Sequence, residues 1–384
     1  MKKKILFVID SLVCGGAEKS LVSLLPLIDY DRYDVDLLMF ARGGVFEKYV
    51  PDEVNVIQHN LFGSSPFDRL NKVLHQLSFS ALLRLNPERH GAENSWRAMH
   101  GVVKPMKKQY DIAIAYQQGF PTFFVATKVK ARKKLAWVNV NIFAAGYDMN
   151  YCKQYYDKVN HIVPVSQKLL ELLVKECPWT REKVSCIYDI VNPGLIQKLS
   201  AESIPEDALF DDGINIVTVG RLCKQKNYFL AIDAARTLKD KDLRFKWFFV
   251  GSGEMRAALE NRIKEQNLEQ NVFLLGLKEN PYSYMAKADI YVQTSSFEGF
   301  GLTVAEAKIL HKPIVSTNFD VVKDQIVDGK NGLIAEMTPE SVAGRILELV
   351  NDSDLRKRLI GNLKMEQNTT FLSEIGKFNS LLES

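Results

Sequence analysis

Two glutamates, Glu298 and Glu306, stand eight residues apart in the stretch Ser295-Ser296-Phe297-Glu298-Gly299-Phe300-Gly301-Leu302-Thr303-Val304-Ala305-Glu306-Ala307. A strand predicted at 289–294 ends just before this stretch, and a helix is predicted to open near Leu302. The first N–H groups of a helix lack intrahelical partners, and its macrodipole leaves partial positive charge there, so such a tip is a seat for phosphate. The glycines let the backbone approach a ligand closely. Glu298 precedes the tip and Glu306 lies a little over one turn inside, so the two acids flank the seat. One carboxylate can take sugar hydroxyls and the other ribose hydroxyls with a diphosphate between them, which is the order of parts in a nucleotide sugar. A second Glu at any fixed offset arises by chance roughly 6% of the time. The spacing therefore draws its meaning from strand, glycines, helix start and both acids together.

A second constellation is Gly220-Arg221-Leu222-Cys223-Lys224-Gln225-Lys226-Asn227, directly after a strand predicted at 214–219. Arginine's fork suits phosphate oxygens and lysine adds a point charge. Together Arg221 and Lys226 can neutralise a departing diphosphate without a metal ion; the bland alternative is a cation-rich surface loop. A third is Gly15-Gly16-Ala17-Glu18, where the first strand turns into a helix. It is neither G-x-G-x-x-G nor a Walker sequence, and a tight turn needs glycine in any case. Asp-x-Asp triplets at Asp34-Val35-Asp36 and Asp240-Lys241-Asp242 are a device for a divalent cation on a diphosphate. Asp34 and Asp36 begin a strand, however, whereas α/β sites lie at the carboxyl ends. No metal site and no cofactor are assigned.

The elements that must position these residues alternate strand and helix, which argues for α/β layers around mostly parallel sheets. Strands are expected at 5–9, 35–40, 55–59, 112–115, 134–138 and 161–165, and again at 214–219, 245–250, 272–275, 289–294 and 313–317. Between 188 and 210 the periodicity lapses, and Pro193-Gly194 and Pro205 mark a linker. With 384 residues the chain exceeds one ordinary core. Two doubly wound domains are expected, 1–190 and 191–367, facing a central cleft, with a C-terminal helix at about 368–384 packing back on the first.

A composition of 46% hydrophobic and 25% charged residues is globular. The N-terminal apolar run, Ile5 to Ile9, is too short for a signal peptide and reads as a buried strand. No run is long enough to span a bilayer. Five scattered cysteines without a C-x-x-C pair point to a reducing cytoplasm rather than a disulfide framework or zinc site. Charge is uneven: residues 61–110 hold eight Lys or Arg against three acids, and Lys128, Lys130, Arg132, Lys133 and Lys134 follow. Residues 67–85 place Leu70, Val73, Leu74, Leu77, Ala81 and Leu82 at helical spacing. Such stripes mostly face a core, but a basic amphipathic helix can also lie on a membrane. The basic segment 61–134 thus suggests an anionic membrane partner at the inner face of the cell membrane. Its bases are not interleaved with stacking aromatics, so nucleic acid is not expected.

At these motifs the sequence resembles the retaining glycosyltransferases of family 4, glycosyl transferases group 1, which have the GT-B fold. The family's E-x7-E element matches Glu298 to Glu306, its G-R-L-x-x-x-K-N element matches Gly220 to Asn227, and its early G-G-A-E matches Gly15 to Glu18. The resemblance implies transfer of a sugar, with retained configuration, from a nucleotide-diphosphate sugar (UDP favoured) to a glycan or lipid-linked acceptor. It implies that Arg221 and Lys226 grip the diphosphate, Glu306 binds ribose and Glu298 binds the transferred sugar. It also places Gly220 and the backbone of Phe300, Gly301, Leu302 and Thr303 against the donor, Gly16 on the donor side, and Leu277 near the base. Many members carry a histidine where this chain has Asn139 after Trp137-Val138. Asn139 and nearby Asn141 are therefore acceptor or sugar contacts that cannot shuttle a proton. The alternative is a non-catalytic protein that keeps the fold and binds a nucleotide sugar as a sensor or partner subunit.

Overall fold

Apolar runs such as Ile5-Leu6-Phe7-Val8-Ile9 have no polar face to leave in water, and such strands belong inside a sheet covered on both sides. In the computed structural model, which describes residues 2–13, 15–59, 61, 66–205, 209–366 and 369–383 (side chains of 66–70 and 369–370 excepted), these five residues are wholly buried. The chain forms two compact units, Met1–Ile190 with Ser373–Ser384, and Val191–Leu372.

In the first unit, β1 (Lys3–Ile9), β2 (Tyr33–Met39), β3 (Asn55–Gln58), β4 (Gln109–Ala115), β5 (Lys130–Val138) and β6 (His161–Pro164) make one parallel sheet in the order β3-β2-β1-β4-β5-β6. In the second, β7 (Ile214–Val219), β8 (Phe245–Val250), β9 (Val272–Gly276), β10 (Ile290–Gln293), β11 (Ile314–Thr317) and β12 (Leu333–Ala335) repeat the pattern as β12-β11-β10-β7-β8-β9. Both are doubly wound α/β sheets. The strand order reverses between β1 and β4, and between β7 and β10, and ligands bind outside the carboxyl ends of strands at such switch points. Ile290 pairs with Ile216 and Tyr291 with Val217, so the loops leaving β7 and β10 start side by side.

The helix Thr369–Glu383 returns to the first unit. Phe378 lies buried near Phe7 and Trp137, a burial contributing about 1.5–3 kcal/mol. The Tyr188 N–H donates to Glu374 at 2.8 Å and Arg32 pairs with Glu383 at 2.7 Å.

One expectation needs correction, and one open alternative is narrowed. The stretch read as linker contains a helix, Pro193–Ser200, capped by Asn192, whose Oδ1 accepts from the Leu195 N–H. Asn followed by Pro at the first helical position is a start signal, here hidden by Gly194. The helix Pro66–Leu85 does not turn its apolar stripe to a core: Val73, Leu74, Leu77 and Leu85 are exposed. Asn71, His75, Phe79 and Leu82 are partly covered instead, and the helix packs on Gly91–Met99.

Candidate active site

The turn after β7 is built backbone against backbone. Gly220 donates to Val250 O at 3.0 Å and Leu222 to Ser252 O at 2.9 Å. A Cβ at Gly251 would lie 1.9 Å from Gly220 O, and one at Gly253 2.3 Å from Leu222 O. Only glycine permits this approach, which props Arg221 outward. Among the described residues the Arg221 side chain, exposed to solvent, has no hydrogen bond or ion pair. Lys226 folds back over Gly220, where an added Cβ would stand 3.2 Å from its Cε.

The turn after β10 is stitched to this one. Ser296 N–H donates to Gln225 O at 2.8 Å, Thr294 Oγ1 to Lys226 O at 3.0 Å, and Gln225 Nε2 to Phe297 O at 2.9 Å. These bonds bring Lys226 Nζ to 2.6 Å from Glu298 Oε1, in an ion pair whose side chains are only 17% and 8% exposed. The same oxygen accepts from Gln293 Nε2 at 2.8 Å and Ser295 Oγ at 2.5 Å, while Oε2 accepts from Gln225 at 3.2 Å.

The helix Leu302–Ile309 follows Gly301, whose φ of +90° is a left-handed conformation that glycine adopts without strain. Gln325 Nε2 donates to Phe300 O and Gly301 O and so fixes the entry. The first helical bond is Val304 N–H to Gly301 O at 2.9 Å. The N–H groups of Leu302 and Thr303 are accordingly available for an anion. Glu306, inside the helix, is buried and accepts from Tyr282 OH at 3.0 Å. Burial pushes the Tyr291 hydroxyl well above its usual range, and the charges of Glu306 and Glu298 add to that. Both acids thus act on one buried ring from different elements. Leu277 is exposed just beyond β9, whose last residue, Gly276, accepts from Gly251 N–H at 2.9 Å.

The first unit gathers a second group at its own switch point. A Cβ at Gly15 would meet Glu18 Oε2 at 2.2 Å, so that glycine lets Glu18 fold back over the start of the helix Gly16–Leu24. Gln117, after β4, donates to Glu18 at 3.4 Å and accepts from Asp10 N–H at 3.2 Å. Burial, then the neighbouring Glu18, pushes the Asp10 carboxyl up to about 7. Asn139 follows β5; its N–H donates to Gln118 at 2.9 Å, while both polar atoms of its side chain are buried without a hydrogen-bond partner. Asn141 is committed differently: its Oδ1 accepts from the N–H groups of Phe143 and Ala144, both at 3.1 Å.

Lys226 and Glu298 are thus brought into direct contact, with Gly220, Arg221 and the loop Phe300 to Thr303 on the same strand edge. Glu306 is held by Tyr282 and makes no bond to that pair. Asp36 is engaged by Lys108 Nζ at 2.6 Å, Tyr110 OH at 2.6 Å and Asn55 Nδ2 at 2.8 Å. Sequence reasoning missed Gln225, Gln293, Gln325 and the Gly251-x-Gly253 turn. A strand, a glycine and a second glycine two residues on were the visible sign of the last. The glutamines have no local sign at all.

Comparison with known proteins bears on the family and the fold. Residues 200–365 match the family model described as glycosyl transferases group 1. A Campylobacter jejuni N-acetylgalactosaminyltransferase, named for a diphospho-undecaprenol-linked sugar acceptor, is 33% identical over 204 residues, 53% of this chain and 54% of that one. A second C. jejuni α-1,4-N-acetyl-D-galactosaminyltransferase, also named for an undecaprenol-linked glycan, is 25% identical over 370 residues, covering 94% and 92%. Of three curated relatives at the head of the comparison, the chain spans 65%, 54% and 54% of the length. Anabaena HepE, solved in complex with UDP-glucose, superposes with a TM-score of 0.73 at 18% identity over 99% of both chains. The chain thus carries the GT-B fold, and its residues 200–365 match the model of the glycosyl transferases group 1 family.

Proposed function

We propose that the protein is a retaining glycosyltransferase that moves a sugar from a nucleotide-diphosphate sugar, UDP-linked by preference, to a glycan or lipid-linked acceptor. The observation that carries this reading is the Lys226–Glu298 pair beside the unpaired Arg221 and an open helix tip at the β7/β10 switch point. A diphosphate placed there meets two cations and the N–H groups of Leu302 and Thr303. These groups stabilise the charge that develops on the leaving diphosphate. Metal-independent transfer follows from the same argument. Glu298 orients the transferred sugar and Glu306, with Leu277, serves the nucleoside side. Asn139, with an unpartnered carboxamide, contacts a sugar or acceptor hydroxyl, and Gly16 serves the donor side. The leaving phosphate takes the acceptor proton, so no histidine is required. UDP-glucose in the HepE complex supports the base, and the names of the C. jejuni relatives support a polyprenyl-diphosphate acceptor.

The reading places the protein in the cytoplasm at the inner membrane face. No described helix is long and apolar enough to cross a membrane. On the helix Pro66–Leu85, Val73, Leu74, Leu77 and Leu85 share one arc, as their offsets at 100° per residue dictate. Of the basic segment, Arg89 and Arg97 are paired with Glu93, Lys108 with Asp36, and Lys133 and Lys134 donate to backbone carbonyls. Lys72, Arg84, Lys104 and Lys107 remain exposed to meet anionic headgroups.

Transfer is tested by incubating the purified chain with UDP-, GDP- and ADP-sugars in EDTA, then following nucleotide release and the anomeric configuration of the product by NMR. Nucleotide binding without turnover of any donor, whatever the acceptor, leaves the non-catalytic alternative in its place. Membrane contact is tested by flotation with phosphatidylglycerol vesicles at low and high salt. Leu74→Ser with Leu77→Ser should abolish it, and the absence of wild-type binding at either salt would refute the contact.

A further inference from the structure

Gln293 ends β10 and is 1% exposed. Its carboxamide is saturated. Nε2 donates to Ser295 Oγ and Glu298 Oε1, both at 2.8 Å, while Oε1 accepts from Tyr291 OH and from Thr303 Oγ1 at 3.1 Å. Two donors and two acceptor sites are all that such a group possesses. The amide is also oriented by its surroundings, since the reversed arrangement would aim a carbonyl oxygen at the Glu298 carboxylate. One side chain therefore ties Glu298 to Thr303, in the first turn of the helix whose tip is the phosphate seat.

This arrangement has a consequence for the ion pair. If Lys226 grips the diphosphate it must give up all or part of its contact with Glu298, and a carboxylate largely withdrawn from water keeps its place only if other donors remain. Gln293, Ser295 and Gln225 are those donors, and Gln293 is the one anchored from the sheet and the helix together. We propose that Gln293 is a positioning residue: it holds the Glu298 carboxylate in place, and in register with the helix tip, when Lys226 leaves it for the donor diphosphate. The inference rests on the transferase reading and adds how the sugar-orienting acid is uncoupled from the phosphate-gripping lysine.

The test compares wild type, Gln293→Leu and Gln293→Glu by donor turnover and by UDP titration in a calorimeter. The leucine variant removes all four bonds. The glutamate variant keeps acceptors for Tyr291 and Thr303, so it guards against simple misfolding, but it sets a second carboxylate against Glu298. Expected are a kcat about 10- to 100-fold lower in both, the scale of a displaced catalytic group, with the UDP Kd within about threefold of wild type. Two adjoining carboxylates tend to share a proton. The glutamate variant alone should therefore regain turnover as pH is lowered from 8 to 6, a profile that a purely structural role would not produce. Wild-type kcat in a folded Gln293→Glu protein overturns the inference, as does UDP affinity falling in step with kcat. A wild type that turns over no donor overturns the transferase reading and this inference with it, whereas an active wild type beside an equally active variant overturns this inference alone.

Discussion

Removing the charge of Glu298 should tighten the binding of UDP while it abolishes transfer. In the free protein Lys226 Nζ is held 2.6 Å from Glu298 Oε1, with both side chains mostly out of water, so solvent screens the pair weakly. A hydrogen bond to a charged group contributes about 1.5–3 kcal/mol, and a diphosphate that recruits Nζ must first offset that contact. Glu298 keeps Gln293, Ser295 and Gln225 as donors, which puts the cost at the low end, about 1.5 kcal/mol, or roughly tenfold in Kd. In Glu298→Gln that competition is weakened, so UDP should bind about 5- to 10-fold more tightly. Turnover should fall at least about 10²-fold, because the group proposed to orient the sugar has lost its charge. Lys226→Met must act in the opposite direction: it removes a diphosphate contact and leaves Glu298 uncompensated beside the incoming anion, so UDP should bind at least about tenfold more weakly. Calorimetric titration of UDP into the three proteins at one salt concentration measures all of this. If both substitutions weaken UDP alike, the pair is a structural tie and the clamp argument is wrong.

Further outcomes follow from other parts of the molecule. Asp189 is buried with one carboxyl oxygen lacking a partner, and burial pushes it up to about 7 against the opposing hydrogen bond from Ser20. The folded state then holds a proton that the unfolded chain releases near 3.8. This contribution to stability is fully present below about pH 4 and is lost as pH rises towards 7. Asp10, shifted in the same direction, adds to the slope, so in thermal melts from pH 5 to 8 Asp189→Asn should flatten the decline in Tm in part. Parallel wild-type and variant curves would refute the assignment. Gly251→Ala would set a methyl group 1.9 Å from Gly220 O at a φ of +151°. We expect a loss of about 2–3 kcal/mol, and UDP binding should weaken because Arg221 is carried on that turn. An unchanged melt with unchanged UDP affinity would show that the two turns are free to separate.

Much of the fold is legible because both sheets are covered on both faces. Ile214–Val219 and Phe245–Val250 are short runs dominated by β-branched and aromatic residues, and their bounds read directly from the residues. The helix Phe120–Lys128 is not legible for the same reason. Phe120 to Ala126 are all buried, so no polar face marks its period, and Pro121 suggests a break although it stands where a helix start tolerates it. The strand Leu333–Ala335 has three residues and cannot show any period. The stripe on Pro66–Leu85 had the right spacing, but periodicity reports only that one face is apolar, not what covers it.

The site divides along a different line. Each loop announces itself locally, by glycine beside Arg221 and by glycines beside Glu298, yet the contact that makes a clamp joins Lys226 to Glu298 across 72 positions. No spacing within either loop encodes it. It becomes derivable once the strand order is assumed: in a doubly wound sheet that reverses between its first and fourth strands, those strands here are β7 and β10, and the residues just past their ends must meet. Gln293 is harder still. Its partners lie on β10, on the loop beyond it and on the following helix, and an amide at a strand end reads from sequence as one more polar residue near a turn. Only the enclosing hydroxyls and the carboxylate give it an orientation, and hence a role that Leu at the same place could not fill.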